Sequence, residues 1–315
     1  MNTTSRVAVC SRSFSRNPVL RTELLSRYQH VTFNESGAQL AGDSLVEFLK
    51  GHDKAITALE VIDQSVLARL PELKVIGKYG VGLDMIDMQA MRTHGKHLGW
   101  TGGVNRRSVS ELVISFAIAM LRHVPAAHRE VLSGTWRQHV GRNLTGRTVG
   151  IVGCGHVGKD LVRMLQPFGC QILIHDILDL SDFHEVHGTR AVELDELLRR
   201  SDVVTLHVPL DESTRGMLGE QRLRLMKSDA ILINAARGGL VDETALKKML
   251  KGGDLAAAAF DVFSVEPPRD QELLALPNFL VTPHIGGSAE EAILAMGRAA
   301  IDGLDVHQIP GTAAE

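Results

Sequence analysis

The chain of 315 residues is poor in cysteine: Cys10, Cys154 and Cys170 are its only three. An odd count without metal-ligand spacing gives neither a disulfide framework nor a zinc pattern, and it suits a reducing compartment. Long apolar runs are missing too. The longest, residues 112–121, is interrupted by Ser115 and is too short to cross a bilayer. The opening Met1-Asn2-Thr3-Thr4-Ser5-Arg6 leads straight into Val7-Ala8-Val9-Cys10, without the apolar core of a signal peptide. There is no basic stripe: the formal charge is −3 and both signs are spread along the chain, which argues against a nucleic-acid partner. Internal repeats, low-complexity tracts and long linkers are also absent. The expectation is a soluble, cytoplasmic protein, and the length and apolar content suit two domains better than one.

What is present is alternation. Residues 6–10, 55–59, 74–78 and 97–100 read as strands, Asn17-Pro18 opens a helix, and residues 65–70 form another. Strands alternating with helices predict a parallel α/β sheet. After Gly102-Gly103, Ser108-Val109-Ser110-Glu111 has the pattern of a capping box and predicts a helix from there to about His123. A second helical segment runs to about Ser133. Further strands are expected near 148–152, 171–175, 203–208, 230–234, 255–260 and 279–282, and a last helix from about Ser288 to Val306 returns to the first domain.

The chemistry gathers at the ends of these later strands. Gly153-Cys154-Gly155-His156-Val157-Gly158 directly follows the apolar run 148–152. Gly153 permits the tight turn, Gly155 lets the backbone approach a pyrophosphate, and Gly158 lets helix and strand pack closely. The helix N-terminus then offers N–H groups to the phosphates. Such a loop alone is weak evidence, but Asp176 ends the next strand, where an acid meets the adenosine ribose hydroxyls. An acid there repels a 2′-phosphate, and Ile177-Leu178 supply no arginine, so NAD is favoured over NADP. Arg237 follows the run 231–236, Glu266 follows 260–265, and His284 follows 279–283. A lone strand-end arginine is usually a surface ion pair, and most of the fourteen histidines are expected to be solvated. The pairs His94/His97 and His184/His187 lack a convincing third ligand, so no metal site is expected. Arginine, carboxylate and histidine beyond a nucleotide loop are what hydride transfer to an acid substrate requires.

At these residues the chain resembles the D-isomer-specific 2-hydroxyacid dehydrogenases, especially their phosphoglycerate-dehydrogenase-like branch. The resemblance covers nearly the whole chain. It rests on Lys78-Tyr79-Gly80-Val81-Gly82-Leu83-Asp84, Val104-Asn105 with residues 108–111, the 153–158 loop with Asp176, His207-Val208-Pro209-Leu210, Asn234 to Asp242, residues 260–263 with Glu266-Pro267-Pro268, and Thr282-Pro283-His284-Ile285-Gly286. It implies an α/β architecture with a Rossmann NAD-binding domain over 102–285 and a flavodoxin-like substrate domain formed by 1–101 and 286–315. It also implies an active site in the cleft between them and a homodimer built largely on the helices of 104–133. Cofactor contacts are implied for Gly153, Gly155, His156, Val157, Gly158, Asp176, Val208, Pro209, Thr214, Ala235, Ala236, Gly286 and Gly287, with Asp261 on the nicotinamide carboxamide.

The implied chemistry is the NAD-dependent interconversion of a D-2-hydroxyacid and its 2-oxoacid, with a phosphoglycerate-dehydrogenase-type reaction as one expectation. Arg237 binds the substrate carboxylate and polarises the reacting oxygen, His284 moves the proton, and Glu266 stabilises the charged imidazole. Backbone amides at Val81 and Gly82 form a second carboxylate contact, and Lys78 is a further candidate at the substrate. Departures from the family pattern bear on the acid. Thr101-Gly102-Gly103 replaces a usual Thr-Pro-Gly, and Met85 stands where Asn is common. The loop at Ala58-Leu59-Glu60-Val61 brings a carboxylate where authentic 3-phosphoglycerate dehydrogenases bring arginine, with Lys78 or Arg12 as candidate substitutes. The chain ends at Glu315, without the small regulatory domain of many phosphoglycerate dehydrogenases, so serine feedback is not expected. Two rival readings stay open: a glyoxylate or hydroxypyruvate reductase, and an NADH-responsive corepressor-like scaffold, although no extended tail of that kind is present. Glu266 beside His284 argues against formate oxidation, which needs no proton acceptor.

Overall fold

A computed structural model of the chain describes residues 1–311. The chain divides into two compact units, Met1–Asn105 with Glu290–Glu315, and Arg106–Ala289. The crossings lie a few residues beyond those read from sequence, and residues 312–315 of the expected substrate domain lie outside the described residues.

The first unit is a parallel sheet of β1 (Asn2–Val9), β2 (Tyr28–Phe33), β3 (Lys54–Thr57), β4 (Val75–Lys78) and β5 (His97–Gly99), ordered β2-β1-β3-β4-β5. This is the flavodoxin-like order. Sequence reasoning missed β2, an edge strand whose Gln29, His30 and Thr32 are exposed, so it carries little apolar signal. Asn17 caps the helix Pro18–Arg27 by accepting from the Val19 and Leu20 amides, and Pro18 takes the first helical position. The helix Glu290–Gly303 lies against β4 and β5 at backbone contact. A Cβ on Gly99 would sit 1.9 Å from the Gly303 carbonyl oxygen, and one on Gly77 would sit 2.4 Å from that of Ala300. Only glycine fits at either crossing.

The second unit is a seven-stranded parallel sheet. It contains β6 (Thr148–Val152), β7 (Gln171–His175), β8 (Arg190–Ala191), β9 (Val203–Leu206), β10 (Ile231–Asn234), β11 (Ala257–Phe260) and β12 (Phe279–Val281). Their order, β12-β11-β10-β9-β6-β7-β8, is the Rossmann order with one further strand. Every residue of β9, β10 and β11 is buried, which is why each reads as a continuous apolar run: helices cover both faces. Leu197, Leu232 and Leu246 pack on one face, and Val113, Phe116 and Leu161 on the other. The order reverses between β6 and β9, so the crevice for a ligand opens where these two strands end.

One expectation is corrected. The helix expected to open at Ser108 spans Arg106–Leu121, so Ser108 lies inside its first turn. The Ser108 hydroxyl donates to the Gly286 carbonyl at 2.7 Å, so it spans to another loop rather than capping its own helix. Among the described residues, no single helix is long and apolar enough to cross a membrane.

Candidate active site

The site in the second unit is built on consecutive strand ends. After β6 the chain turns at Gly153, whose φ of +89 suits glycine; a Cβ there would lie 2.7 Å from Val208 Cγ1 and 2.8 Å from the His207 carbonyl carbon. Gly158 has no room either, since its Cβ would fall 2.5 Å from the Gly153 carbonyl oxygen. Gly155 differs from both: a Cβ there would meet nothing within 4 Å. It precedes the helix His156–Leu165, whose first turn no side chain caps. Tight glycines therefore press loop, helix and strand together, while one glycine faces open space beside uncapped amides. That cradle fits a dinucleotide pyrophosphate.

Asp176, following β7, accepts from the Cys154 amide at 2.6 Å and from the Leu178 amide at 2.9 Å. Its carboxylate is thus fixed beside the glycine loop, and Ile177 and Leu178 beyond it are exposed and uncharged. Burial, aided by the Asp176 charge, pushes the Cys154 thiol up to about 11. After β9, the His207 ring meets Thr205 Oγ1 at 3.0 Å, and burial lowers it to about 4. Thr214 Oγ1 donates to the Pro209 carbonyl at 2.7 Å, closing the loop that follows Val208.

Beyond β10, Ala235 and Ala236 lead to Arg237. The Asn234 side chain, 1 % exposed, shapes this bend: it accepts from the Ala236 amide at 3.1 Å and donates to the Arg237 carbonyl at 2.9 Å. Arg237 Nη1 donates back to the Ala236 carbonyl at 2.7 Å. Sequence reasoning gave Asn234 no role, though a polar residue ending an apolar strand was the available signal. A Cβ on Gly238 would fall 1.9 Å from the Phe263 carbonyl oxygen, so the arginine loop touches the loop that carries Glu266.

Glu266 Oε1 accepts from the Phe263 amide at 3.1 Å, and Oε2 meets His284 Nδ1 at 2.9 Å. His284 has a φ of 55, rare for a residue with a Cβ. Nδ1 is thus engaged by the carboxylate, and Nε2 is the other ring nitrogen. Asp261 also lies here, beneath the 282–286 turn. Its carboxylate accepts from the Thr282 hydroxyl, from the Ile285 amide at 2.8 Å and from the Gly286 amide at 2.7 Å. Gly287 completes that turn, which the Ser288 amide closes on the Ile285 carbonyl at 2.8 Å.

In the first unit, the Lys78 ammonium is buried and donates to the Ala58 carbonyl, close to Gly80. Glu60 is buried as well, its carboxylate accepting from the Ala58 amide at 2.6 Å, which leaves Leu59 and Val61 as the exposed residues of that loop. The Val81 carbonyl accepts from Trp100 Nε1 at 3.0 Å, and Gly82 is partly exposed. Elsewhere His184 Nδ1 lies 2.8 Å from Thr189 Oγ1, and His97 Nδ1 lies 3.0 Å from His307 Nδ1. No group of three metal-ligating side chains occurs among the described residues.

The sequence profile of the D-isomer specific 2-hydroxyacid dehydrogenase NAD-binding domain matches residues 114–286. D-3-phosphoglycerate dehydrogenase of Methanocaldococcus jannaschii is 38% identical over 267 residues, 84% of this chain and 51% of the relative. The match thus spans about half the length of that relative. Glyoxylate reductase of Korarchaeum cryptofilum is 38% identical over 255 residues, 78% of this chain and 77% of the relative. A glyoxylate reductase structure from Paecilomyes thermophila superposes with a TM-score of 0.84 at 26% identity, covering 96% of this chain and 95% of the other. By profile and by relatives the chain belongs to the D-isomer specific 2-hydroxyacid dehydrogenase family.

Proposed function

We propose that this chain reduces a short, non-phosphorylated 2-oxoacid of the glyoxylate or hydroxypyruvate type to its D-2-hydroxyacid, and runs the reverse oxidation when the hydroxyacid is supplied. The His284–Glu266 pair at 2.9 Å carries the reading, because it leaves one imidazole nitrogen for the substrate and a carboxylate to balance the imidazolium. NADH, when bound, supplies the hydride. Protonated His284 donates from Nε2 to the C2 oxygen as that oxygen gains charge, and in oxidation it takes the proton back. Arg237 holds the substrate carboxylate and polarises the same oxygen. The Val81 and Gly82 amides are assigned the second carboxylate contact on the family resemblance. Gly153 to Gly158, Asp176, Val208, Pro209, Thr214, Ala235, Ala236, Gly286 and Gly287 are assigned to the cofactor.

The 58–61 loop supports a non-phosphorylated acid. Glu60 turns inward, the Lys78 ammonium is engaged by Ala58, and the exposed side chains are Leu59 and Val61, with no cation among them. The test is NADH oxidation against glyoxylate, hydroxypyruvate, pyruvate and 3-phosphohydroxypyruvate. A kcat/KM for the phosphorylated acid above the others assigns the serine-pathway reaction instead, and silence with all four removes the reading.

A cytoplasmic homodimer is part of the same proposal. The helix Val124–Leu132 has no buried residue, and Leu132, Trp136 and Val140 are 74%, 83% and 94% exposed. An apolar band of this kind fits a second copy of the chain. A monomeric mass in light scattering at micromolar concentration would remove this part.

A further inference from the structure

His284 occupies a left-handed backbone conformation that is strained for a residue with a Cβ, so its surroundings must hold it there. Asp261, 1 % exposed, holds it from beneath. The Asp261 carbonyl accepts from the His284 amide at 2.9 Å. Its carboxylate takes the Thr282 hydroxyl and the Ile285 amide on Oδ1, and the Gly286 amide on Oδ2. Ser108 holds the same turn through the Gly286 carbonyl, at 2.7 Å. Its own helix is anchored next to it: Arg107 pairs with the Asp160 carboxylate at 2.9 Å, and the Ser110 hydroxyl reaches the Val157 carbonyl at 3.4 Å.

We infer that Asp261 and Ser108 are positioning residues for His284: they clamp the 282–286 turn so that the imidazole meets Glu266 with Nε2 directed at the substrate. The family resemblance assigns Asp261 to the nicotinamide carboxamide. Its carboxylate here is committed to three donors of the histidine turn, which gives it work independent of that group. The inference rests on His284 as the proton carrier. Asparagine at 261 would turn an NH2 toward either the Gly286 amide or the Ile285 amide, setting donor against donor on one side of the turn.

The experiment compares Asp261→Asn and Ser108→Ala with the wild type in three readouts: NADH affinity by fluorescence, kcat and KM for hydroxypyruvate with NADH and with reduced 3-acetylpyridine adenine dinucleotide, and the His284 ring signals in 15N-histidine-labelled protein. Asp261→Asn should lower kcat about 100-fold, the scale of an ångström of misplacement, by the same factor with both cofactors. NADH affinity should stay within about threefold, because the glycine loop that carries most phosphate contacts is unchanged. Ser108→Ala, which keeps the buried carboxylate paired, should cost about three- to tenfold in kcat, and both variants should move the His284 signals. A loss seen with NADH and absent with the acetylpyridine analogue would overturn the inference in favour of a carboxamide contact. Unmoved His284 signals would overturn it as well. If Asp261→Asn does not fold, Ser108→Ala carries the same readouts. The ring signals need no turnover, so full activity in His284→Ala beside displaced signals in Asp261→Asn would sink the proton role while leaving the clamp intact.

Discussion

Gly155→Ala separates cofactor binding from folding. The added methyl would meet no heavy atom within 4 Å, although the φ of −73 and ψ of −145 at Gly155 lie outside the regions a residue with a Cβ favours. Its effect on the unliganded fold should therefore be the backbone strain alone, about 1 kcal/mol. The same methyl stands where the backbone must approach a pyrophosphate. Losing or lengthening two charge-assisted N–H contacts of about 1.5 kcal/mol each removes about 3 kcal/mol of binding, or about 100-fold in NADH Kd. Gly158→Ala is the counterpart, because its Cβ would lie 2.5 Å from the Gly153 carbonyl oxygen and 3.3 Å from Ile151 Cγ2. Forcing helix and strand apart should cost about 1–3 kcal/mol of stability. Each kilocalorie lowers Tm by about 2–4 °C at this domain size. Isothermal calorimetry with NADH and thermal melts of both apo variants make the comparison. An NADH Kd for Gly155→Ala within twofold of wild type would refute the cradle, and a melt lowered further than that of Gly158→Ala would refute the open space.

His284→Ala should lower kcat at least about 1,000-fold while NADH still binds, and Glu266→Gln should lower it about tenfold; stopped-flow NADH oxidation checks both. Gly238→Ala must displace the Phe263 carbonyl, 1.9 Å from the new Cβ, and with it the loop bearing Glu266. It should therefore lose both stability and kcat, by about 1–3 kcal/mol and about 100-fold, read from a melt and a Michaelis curve. His207 has a lowered folded-state value of about 4 against an ordinary 6.5. Its neutral form thus contributes stability that is complete above pH 6.5 and lost as pH falls through 4, a few kcal/mol at most. His207→Asn should flatten that acid limb in urea unfolding followed from pH 7 to pH 4, and an unchanged slope would refute the assignment.

The strands of the second unit were legible because helices cover both faces, so β9, β10 and β11 are apolar at every position. The edge strand β2 and the two-residue β8 were not, since solvent-facing strands need no apolar run. Arg237, Glu266, His284 and the glycine loop stood out because polar groups interrupt apolar runs at strand ends. Ser108 was misread because Ser-x-x-Glu predicts a local cap, whereas its partner lies far along the chain at Gly286. The anchoring by Asp261 was hidden for a related reason. A carboxylate bonded to backbone amides leaves no complementary residue type in the sequence, so its partners become visible only when the turn is folded.

The two glycine crossings under the helix Glu290–Gly303 bear on how the chain is made. β4 and β5 leave the ribosome roughly two hundred residues before the helix that covers them, and at about 5–20 residues per second this is a delay of about 10–40 s. The whole Rossmann unit, with its local strand–helix repeats, is synthesised within that interval. The nascent first unit must wait with one sheet face only partly covered, by Phe14, Leu20 and Leu24, while its neighbour in sequence completes its core. Chaperone engagement during synthesis should therefore concentrate on the apolar surface around Val9, Ile56 and Tyr79, and end only when Ala300, Ile301 and Leu304 arrive to cover it.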